Sequence, residues 1–516
     1  MRTRMGFDVI IAGCAAAFLG ACGARTGLDE YTGHAADATG DSLSSADAKA
    51  SEADDEADVD AIDARLDATT DAGADATLDA RLDATTDAGV DATLDAGLDA
   101  TTDAGVDVGA TDVNTTDGAD GGGVVTGVEI AAGGWYSCAR KADGTVLCWG
   151  YNGNGQLGDG TTATPRLTPT PVVTALGGAA LTGVAQIAPG FYHTCARMTD
   201  GTAMCWGLDD YGEIGNGLKS TPRLSPTLVL AAPGGASLTR VTEIALGAYH
   251  TCARMTDGTA MCWGYDDDGQ IGDGTAASPR LSPAPVLAAP GGASLTGVTE
   301  MALGAYHTCA RMTDGTAMCW GRNAEAEIGD GTTISPRASP TPVLVAPGGA
   351  VLTGVAEIAA GTRHTCARKL DGTVLCWGAN DAGQLGDGTT TAYRPSPMPV
   401  LVAAGGAVLT GVAQVAAGGL FTCARMIDST VMCWGNNDYG QVGNGASAPR
   451  LSPTPVPVAP DGAVLTGVAE IAPGTYHVCA RKTDGAVMCW GYNQWGQVGD
   501  GTTTTPRVSP TPVTLP

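Results

Sequence analysis

One short phrase recurs seven times in this chain. It first reads CARKADGTVLCWG, beginning at Cys138. Close copies begin at Cys195, Cys252, Cys309, Cys366, Cys423 and Cys479, so the spacing is 57 residues five times and then 56. A fixed period of this size is typical of a solenoid, a propeller or an array of repeats. The repeat therefore constrains the fold more than any other feature of the sequence.

The pattern of each repeat predicts four short strands separated by turn residues. In the repeat from Leu181 to Thr227 the strand-like runs are residues 184–188, 192–198 and 203–207, with a fourth ending near Val229. The Thr199-Asp200-Gly201 loop predicts a three-residue hairpin closed by a left-handed glycine. The fourth run is rich in proline, which cannot donate to a strand ladder and so favours the rim of a sheet.

We therefore predict an all-β fold, a seven-bladed β-propeller with four short antiparallel strands per blade, over residues 124–516. A linear solenoid would normally have shorter repeats and capping units. The last repeat ends in the same SPTPV strand as the others, at residues 509–513. Each repeat can thus form its own blade, whereas a strand from the region of Val124 inserted into the last blade would close the ring differently. The sequence leaves both closures open.

Fourteen of the 16 cysteines fall as one pair in each repeat. In the predicted hairpin Cys138 lies opposite Cys148, at a site where Cα atoms approach to about 4.5 Å, which suits a disulfide. Free thiols and a metal site are the alternatives, but no histidine or further cysteine stands at zinc-like spacing. We predict seven disulfides: Cys138–Cys148, Cys195–Cys205, Cys252–Cys262, Cys309–Cys319, Cys366–Cys376, Cys423–Cys433 and Cys479–Cys489.

Residues 1–22 have the features of an export signal. Arg2 and Arg4 precede an apolar stretch that is too short to span a bilayer, which needs about 20 apolar residues. The stretch ends in LGAC at Cys22, which resembles a bacterial lipobox, so we expect lipid on Cys22 and an outer-membrane lipoprotein facing the periplasm or the outside. Cys14 is a weaker match, and an ordinary secretory signal is the alternative.

Residues 23–123 are rich in Asp, Ala, Thr and Gly, with a 16-residue repeat starting at Arg65 and Arg81. Residues 23–122 hold 26 acidic and 4 basic side chains, and so carry 22 of the chain's 28 net negative charges. Such a composition cannot offset the entropy of ordering, so we predict a disordered linker that acts as a tether. Calcium binding by the Asp repeats is a less favoured hypothesis, because no loop has the sequence pattern of an EF-hand.

The repeat also resembles that of the regulator of chromosome condensation family. The shared residues in the second repeat are Gly190, His193-Thr194, Ala196, Asp200-Gly201 and Trp206-Gly207, and the fullest loop version is YNGNGQLGDG from Tyr151. The resemblance implies a seven-bladed propeller. The family's eukaryotic founder exchanges guanine nucleotide on a small GTPase and binds chromatin. Because an exported propeller would not meet a cytosolic GTPase, we do not expect exchange activity here.

Several residues recur around the ring, and we interpret them as structural. The histidines at 193, 250, 307, 364 and 477 precede a cysteine by two residues, and Tyr136 and Phe421 take the same place in the first and sixth repeats. This exchange suits packing between blades better than metal coordination. Two arginines also recur in each repeat, which is expected if they anchor a turn Asp or backbone carbonyls. The repeat region is mildly acidic, which argues against nucleic acid.

Function is expected where the repeats differ, mostly in loops. We predict partner-binding residues at Trp135, Tyr211, Arg363, Tyr439 and Trp495, since exposed aromatics suit a protein interface. The expected function is that of a monomeric scaffold binding a protein partner or a surface glycan, with no catalysis, cofactor or metal.

The alternative from another class is a polysaccharide-cleaving enzyme, which would need a distinctive acid–base constellation. Its nearest candidates are Asp266, Asp267, Asp268, Glu325 and Glu327. Acids that converge on the central channel would favour the enzyme. Aromatics spread over one face would favour the binding protein.

Overall fold

The structure is a computed structural model that describes residues 128–219, 222–459 and 462–516. The predictions made for residues 1–127, including the lipid on Cys22 and the disordered linker, lie outside the described residues. The described chain forms seven four-stranded sheets in chain order.

Blades 1 to 4 contain the first sixteen strands, with these bounds: β1 Glu129–Ala132, β2 Tyr136–Arg140, β3 Val146–Gly150, β4 Arg166–Pro171; β5 Val184–Pro189, β6 His193–Met198, β7 Ala203–Gly207, β8 Arg223–Leu228; β9 Val241–Leu246, β10 His250–Met255, β11 Ala260–Gly264, β12 Arg280–Pro285; β13 Val298–Leu303, β14 His307–Met312, β15 Ala317–Gly321, β16 Arg337–Pro342. Blades 5 to 7 contain the remaining twelve: β17 Val355–Ala360, β18 His364–Lys369, β19 Val374–Ala379, β20 Tyr393–Pro399; β21 Val412–Ala417, β22 Phe421–Met426, β23 Val431–Gly435, β24 Arg450–Pro455; β25 Val468–Pro473, β26 His477–Lys482, β27 Val487–Gly491, β28 Arg507–Val513.

Every blade consists of four consecutive antiparallel strands, which confirms the predicted seven-bladed propeller. Among the described residues, β25–β28 of the last repeat form the last sheet by themselves, so this repeat forms its own four-stranded blade. Blade 7 meets blade 1 through packed side chains and through main-chain hydrogen bonds, as from the Thr475 N–H to the Gly133 carbonyl at 3.2 Å. Ile130 and Trp149 of blade 1 share one buried apolar cluster with Val487 and Val498 of blade 7. No helix occurs in the part of the chain described, so none there could cross a bilayer.

The central hairpin of each blade has the register expected from its turn. Cys138 pairs with Cys148 across β2 and β3, and their Cα atoms are 4.1 Å apart. The same bond joins the other six predicted pairs, so all seven disulfides are present. Gly201 in the second hairpin has a φ of 79°, as a left-handed turn glycine requires. Each disulfide therefore joins the two middle strands of one blade.

A belt of buried side chains joins each blade to the next. In blades 2 to 5 the histidine Nε2 lies 2.8–2.9 Å from a threonine hydroxyl of the following blade, as in His193 to Thr251. His477 makes the same contact with Ser137, which closes the ring. Burial lowers the pKa of these histidines to about 3, so they are neutral. Their place between blades agrees with the packing role inferred from the sequence.

The recurring arginines are also engaged inside the repeats, and one set has an additional acceptor that was not predicted from the sequence. Arg140 bonds Glu129 at 2.7 Å because β1 and β2 place these two residues directly opposite each other. Nη1 of Arg140 also donates to the Lys141 carbonyl at 3.3 Å, and a backbone carbonyl is one of the acceptors expected from the sequence. The second set does bond a loop aspartate, as in Arg280 with Asp273. Its other described pairs are Arg166–Asp159, Arg223–Asp209, Arg337–Asp330, Arg394–Asp387 and Arg507–Asp500.

Candidate binding face

One end of the propeller carries two kinds of connection, and we call it the loop face. Because the four strands alternate in direction, the turn after the first strand and the long loop after the third lie at the same end. The long loop of blade 1 is fixed by its own side chains: Asn152 accepts from the Leu157 N–H, and Gln156 accepts from the Asn154 N–H. The main-chain carbonyl of Gln156 accepts a hydrogen bond from Nε1 of Trp206 in blade 2. Each such loop is thus anchored against the next blade.

Glycines bring the first-strand turns close together around the axis. A Cβ on Gly304 would lie 2.2 Å from Cε1 of His307 and 2.6 Å from the carbonyl oxygen of Gly361 in the next blade. Only glycine fits such an approach. The residue two positions after each of these glycines therefore comes near the mouth of the channel. Around the ring it is Trp135, Tyr192, Tyr249, Tyr306, Arg363, Leu420 and Tyr476.

Aromatic side chains from these turns and from the long loops form one connected group, which we call the aromatic arc. Its members are the Trp and Tyr residues of the group, namely Trp135, Tyr151, Tyr192, Tyr211, Tyr249, Tyr265, Tyr306, Tyr439, Tyr476, Tyr492 and Trp495. Phe191 also contacts Tyr192, with ring centroids 6.3 Å apart. Trp135 is central, with ring centroids 5.2 Å from Tyr192 and 6.1 Å from Tyr476. From there the contacts run to Tyr306 in blade 4 on one side and to Tyr439 in blade 6 on the other.

The arc is interrupted in blade 5, where Arg363 takes the place of an aromatic residue. Arg363 is buried, with 4% of its side chain exposed, and its Nη1 lies 2.7 Å from Oε1 of Glu325. Its Nη2 is 3.5 Å from Asp381. Nearby, Nε of Arg322 is 3.6 Å from Oε1 of Glu327. We call these five residues the charged sector.

The predicted partner-binding residues all lie on the loop face. Trp135, Tyr211, Tyr439 and Trp495 belong to the aromatic arc, and Arg363 is the centre of the charged sector. Sequence reasoning missed the seven other members of the arc. They recur beside the histidine or after the Trp-Gly pair, so they resemble framework residues. The signal available in the sequence was the aromatic residue that directly precedes the belt histidine. The histidine is buried, and this aromatic neighbour is only half-buried.

The carboxyls considered for catalysis do not meet in the channel. Apolar side chains and glycines dominate the lining of its cavity, whose volume is about 150 Å³ and which has no ionisable side chain among the described lining residues. Asp266 and Glu327 are fully or almost fully buried, and burial raises the pKa of each to about 7. No distinctive partner of Glu325 was evident from the sequence, but in the structure Arg363 is one. Within the described ranges no three metal-ligating side chains come together.

Comparison with known proteins agrees with the architecture. Models of the regulator of chromosome condensation (RCC1) repeat match all seven repeats, at residues 128–156, 184–213, 241–270, 298–326, 355–384, 412–441 and 468–497, with longer matches such as 143–197 and 371–425.

Among curated proteins, the Ultraviolet-B receptor UVR8 of Arabidopsis thaliana is 31% identical over 376 residues, which cover 72% of this chain and 78% of the receptor. The E3 ubiquitin-protein ligase HERC2 of Homo sapiens is 28% identical over 70% of this chain, but the match spans only 7% of that protein.

Two solved structures of a yeast protein share the fold. Yeast RCC1 (Prp20), solved with Kap60, has a TM-score of 0.58 at 19% identity, over 76% of this chain and 84% of that one. Prp20p from Saccharomyces cerevisiae has a TM-score of 0.56 at 20% identity, over 76% and 87%. The seven matched repeats and the relative at 31% identity place the chain in the regulator of chromosome condensation (RCC1) repeat family.

Proposed function

We propose that this chain is an exported, lipid-anchored scaffold that binds a protein partner through the aromatic arc of its loop face. The observation that carries the proposal is the arc itself. Its eleven aromatic residues come from five blades and the loop of a sixth, and they lie at one end of a rigid ring. Aromatic side chains are enriched at the energetic centres of protein interfaces.

Two further features support the exported location. Seven disulfides suit an oxidising compartment, because cytosolic thiols are kept reduced. The apolar segment ending at Cys22 suits export followed by lipid attachment. A long acidic linker would then hold the propeller away from the membrane, since a flexible chain of about 100 residues spans roughly 50–60 Å.

The direct test is capture of a partner by the full, oxidised chain. The chain is immobilised and exposed to the envelope and secreted fractions of the cell that makes it. We expect one dominant protein, lost when Tyr439→Ala and Trp495→Ala are combined. Tyr393→Ala is the matched control, because Tyr393 is 44% exposed on the outer strand of blade 5 and lies outside the arc.

Two results would contradict the proposal. The first is capture of the same protein by the double variant and the unchanged chain in equal amounts. The second is retention or cleavage of a polysaccharide with no protein captured, which would favour the glycan-directed alternative. That alternative is less favoured because most contacts within the arc are edge-to-face, so that rings cover one another instead of offering flat platforms.

A further inference from the structure

One closely packed part of the aromatic arc lies in blades 2 to 4. There Tyr211 contacts Tyr265 with ring centroids 5.0 Å apart and contacts Tyr249 at 5.8 Å. Tyr306 contacts Tyr265 and Tyr249, each at 6.1 Å. These four half-buried tyrosines, which we call the tyrosine cluster, come from three consecutive blades. They form a continuous aromatic surface between the channel mouth and the loop tips.

Three carboxylates stand at the tips of the two long loops that carry Tyr211 and Tyr265. Asp210 precedes Tyr211 at the tip of the blade 2 loop, and Asp267 and Asp268 occupy the matching tip in blade 3. Burial raises the pKa of Tyr265 well above its usual range, and the carboxylates of Asp268 and Asp267 raise it further. The shift is thus a sign that the negative charge of these loop tips reaches the tyrosine rings.

Two cationic groups of the chain already lie over rings of this cluster. Nζ of Lys219 is 5.6 Å from the centroid of the Tyr211 ring, and Cζ of Arg322 is 5.9 Å from that of Tyr306. Both distances are within the range for attraction between a cation and an aromatic ring. These contacts flank the cluster on two sides. They demonstrate within the chain itself which type of group this surface holds.

We propose that the tyrosine cluster with Asp210, Asp267 and Asp268 is a docking site for a Lys- and Arg-rich segment of a protein partner. The inference rests on the proposed function and specifies the chemistry of the partner. Ring faces attract lysine and arginine head groups. The carboxylates add charge-assisted hydrogen bonds and accelerate encounter with a positive partner.

Charge excludes the two occupants that the chain could itself supply. The linker at residues 23–122 has 26 acidic side chains against 4 basic ones, so like charges would keep it from this site. A second copy would bring the same acidic loop tips against one another. The negative charge of the loop tips favours a positively charged occupant, and a basic segment of a partner provides that charge.

The test uses defined peptides and the full, oxidised chain. Binding of a Lys/Arg-rich peptide is measured by calorimetry from about 50 to 300 mM salt, where screening becomes strong. An acidic peptide of equal length is the negative control. The combined Asp267→Asn and Asp268→Asn variant tests the carboxylates. Its matched control is Asp257→Asn with Asp314→Asn, which removes the same charge from blades 3 and 4 at the opposite end.

The control substitutions keep the fold intact because Asn retains the oxygen that accepts from Thr259 and Thr316. We expect the basic peptide to bind, and its affinity to fall with salt. Loss of both loop-tip charges should weaken binding about tenfold, and the control pair should leave it within about twofold. Tyr211→Ala with Tyr265→Ala should weaken binding at least as much, with little change in the slope against salt.

Each of the opposite results overturns the inference. They are absence of basic-peptide binding, equal binding of the acidic peptide, equal losses in the two charge variants, and self-association of the chain through this face. The outcome also separates the inference from the proposed function. A partner captured through Tyr439 and Trp495 that binds independently of salt and of Asp267 would leave the binding function standing and remove only the basic-segment site.

Discussion

The blade interiors and the loop face follow opposite rules. In the interior, the position of Trp149 is Trp in all seven blades, and each of these side chains is 0% exposed. At the loop tips, the matching position is Asn154, Tyr211, Asp268, Glu325, Ala382, Tyr439 and Trp495 in turn. Every blade packs against a neighbour of the same shape, so interior positions are fixed. The contacts of the loop tips differ from blade to blade, as between Tyr211 and Tyr265 or between Glu325 and Arg363, so the same framework can present a different surface from each blade.

Two blades lack the belt histidine. In blade 1 the hydroxyl of Tyr136 still bonds the Thr194 hydroxyl of blade 2 at 2.8 Å, whereas blade 6 has lost the bond and supports this rule. In blade 6 the belt histidine is replaced by Phe421, and the threonine that would receive its hydrogen bond in blade 7 is replaced by Val478. Both are fully buried in one apolar cluster. A buried polar group left without its partner is costly, whereas exchange of both partners for apolar groups can be nearly neutral. Interior positions therefore vary in pairs, and loop tips vary singly.

The largest effect we predict concerns a disulfide of the interior. Replacing Cys309 and Cys319 together by Ala should lower the free energy of unfolding by about 2–3 kcal/mol, because the unfolded chain loses a short closed loop. Chemical denaturation of the oxidised chain measures the change. Reduction of the unchanged chain should destabilise it further, since it opens all seven bonds. If the denaturation midpoint of the double variant were unaltered, this disulfide would not contribute to the stability of the fold.

An intermediate effect is expected at Glu213, a loop residue that follows the interior rule. Its side chain is fully buried and its Oε2 accepts from the Tyr211 N–H at 2.8 Å. Gln156 makes the equivalent contact in blade 1. Burial raises the pKa of Glu213 to about 8, with Asp209 and Asp210 adding to the shift. The carboxyl thus keeps its proton in the folded chain up to about pH 8. In the unfolded chain it loses the proton near the ordinary pKa of a glutamate.

The sign of the pH dependence follows from that difference. Below about pH 4 both states hold the proton, so Glu213 contributes no difference. As pH rises from the ordinary pKa towards 8, only the unfolded chain releases the proton, and stability falls. Glu213→Gln should therefore equal the unchanged chain near pH 4 and exceed it by roughly 1–3 kcal/mol at pH 8. The reverse exchange, Gln384→Glu, should introduce the same loss. A difference in unfolding free energy between Glu213→Gln and the unchanged chain that did not vary with pH would contradict the raised pKa of this carboxyl.

The same contrast explains how far the sequence could be interpreted. The propeller, the hairpin register and the cysteine pairs were predictable because each rests on a local pattern repeated seven times. The aromatic arc was only partly predictable. Tyr249 and Tyr306 recur in register and so resemble framework, and their joining with Tyr211 depends on how neighbouring blades pack. The Arg363–Glu325 pair links blades 4 and 5 across 38 residues. The same separation recurs between belt threonines and long-loop carbonyls, as in Thr365 and Glu327. The pair was not predicted because an arginine at position 363 and a glutamate at position 325 each depart from the repeat, so no other blade shows that they meet.

The smallest effect on stability is expected at the loop tip of blade 6. Tyr439 is 38% exposed and contacts Tyr476 and Tyr492 with ring centroids 5.7 and 4.7 Å apart. Tyr439→Ala should cost at most about 1 kcal/mol of unfolding free energy, because little buried surface is lost. The same change should weaken capture of the partner, and Tyr393→Ala should not. If Tyr439→Ala instead destabilised the chain as much as loss of a disulfide, this tyrosine would belong to the framework, and the separation of fixed interior from variable binding face would fail at that position.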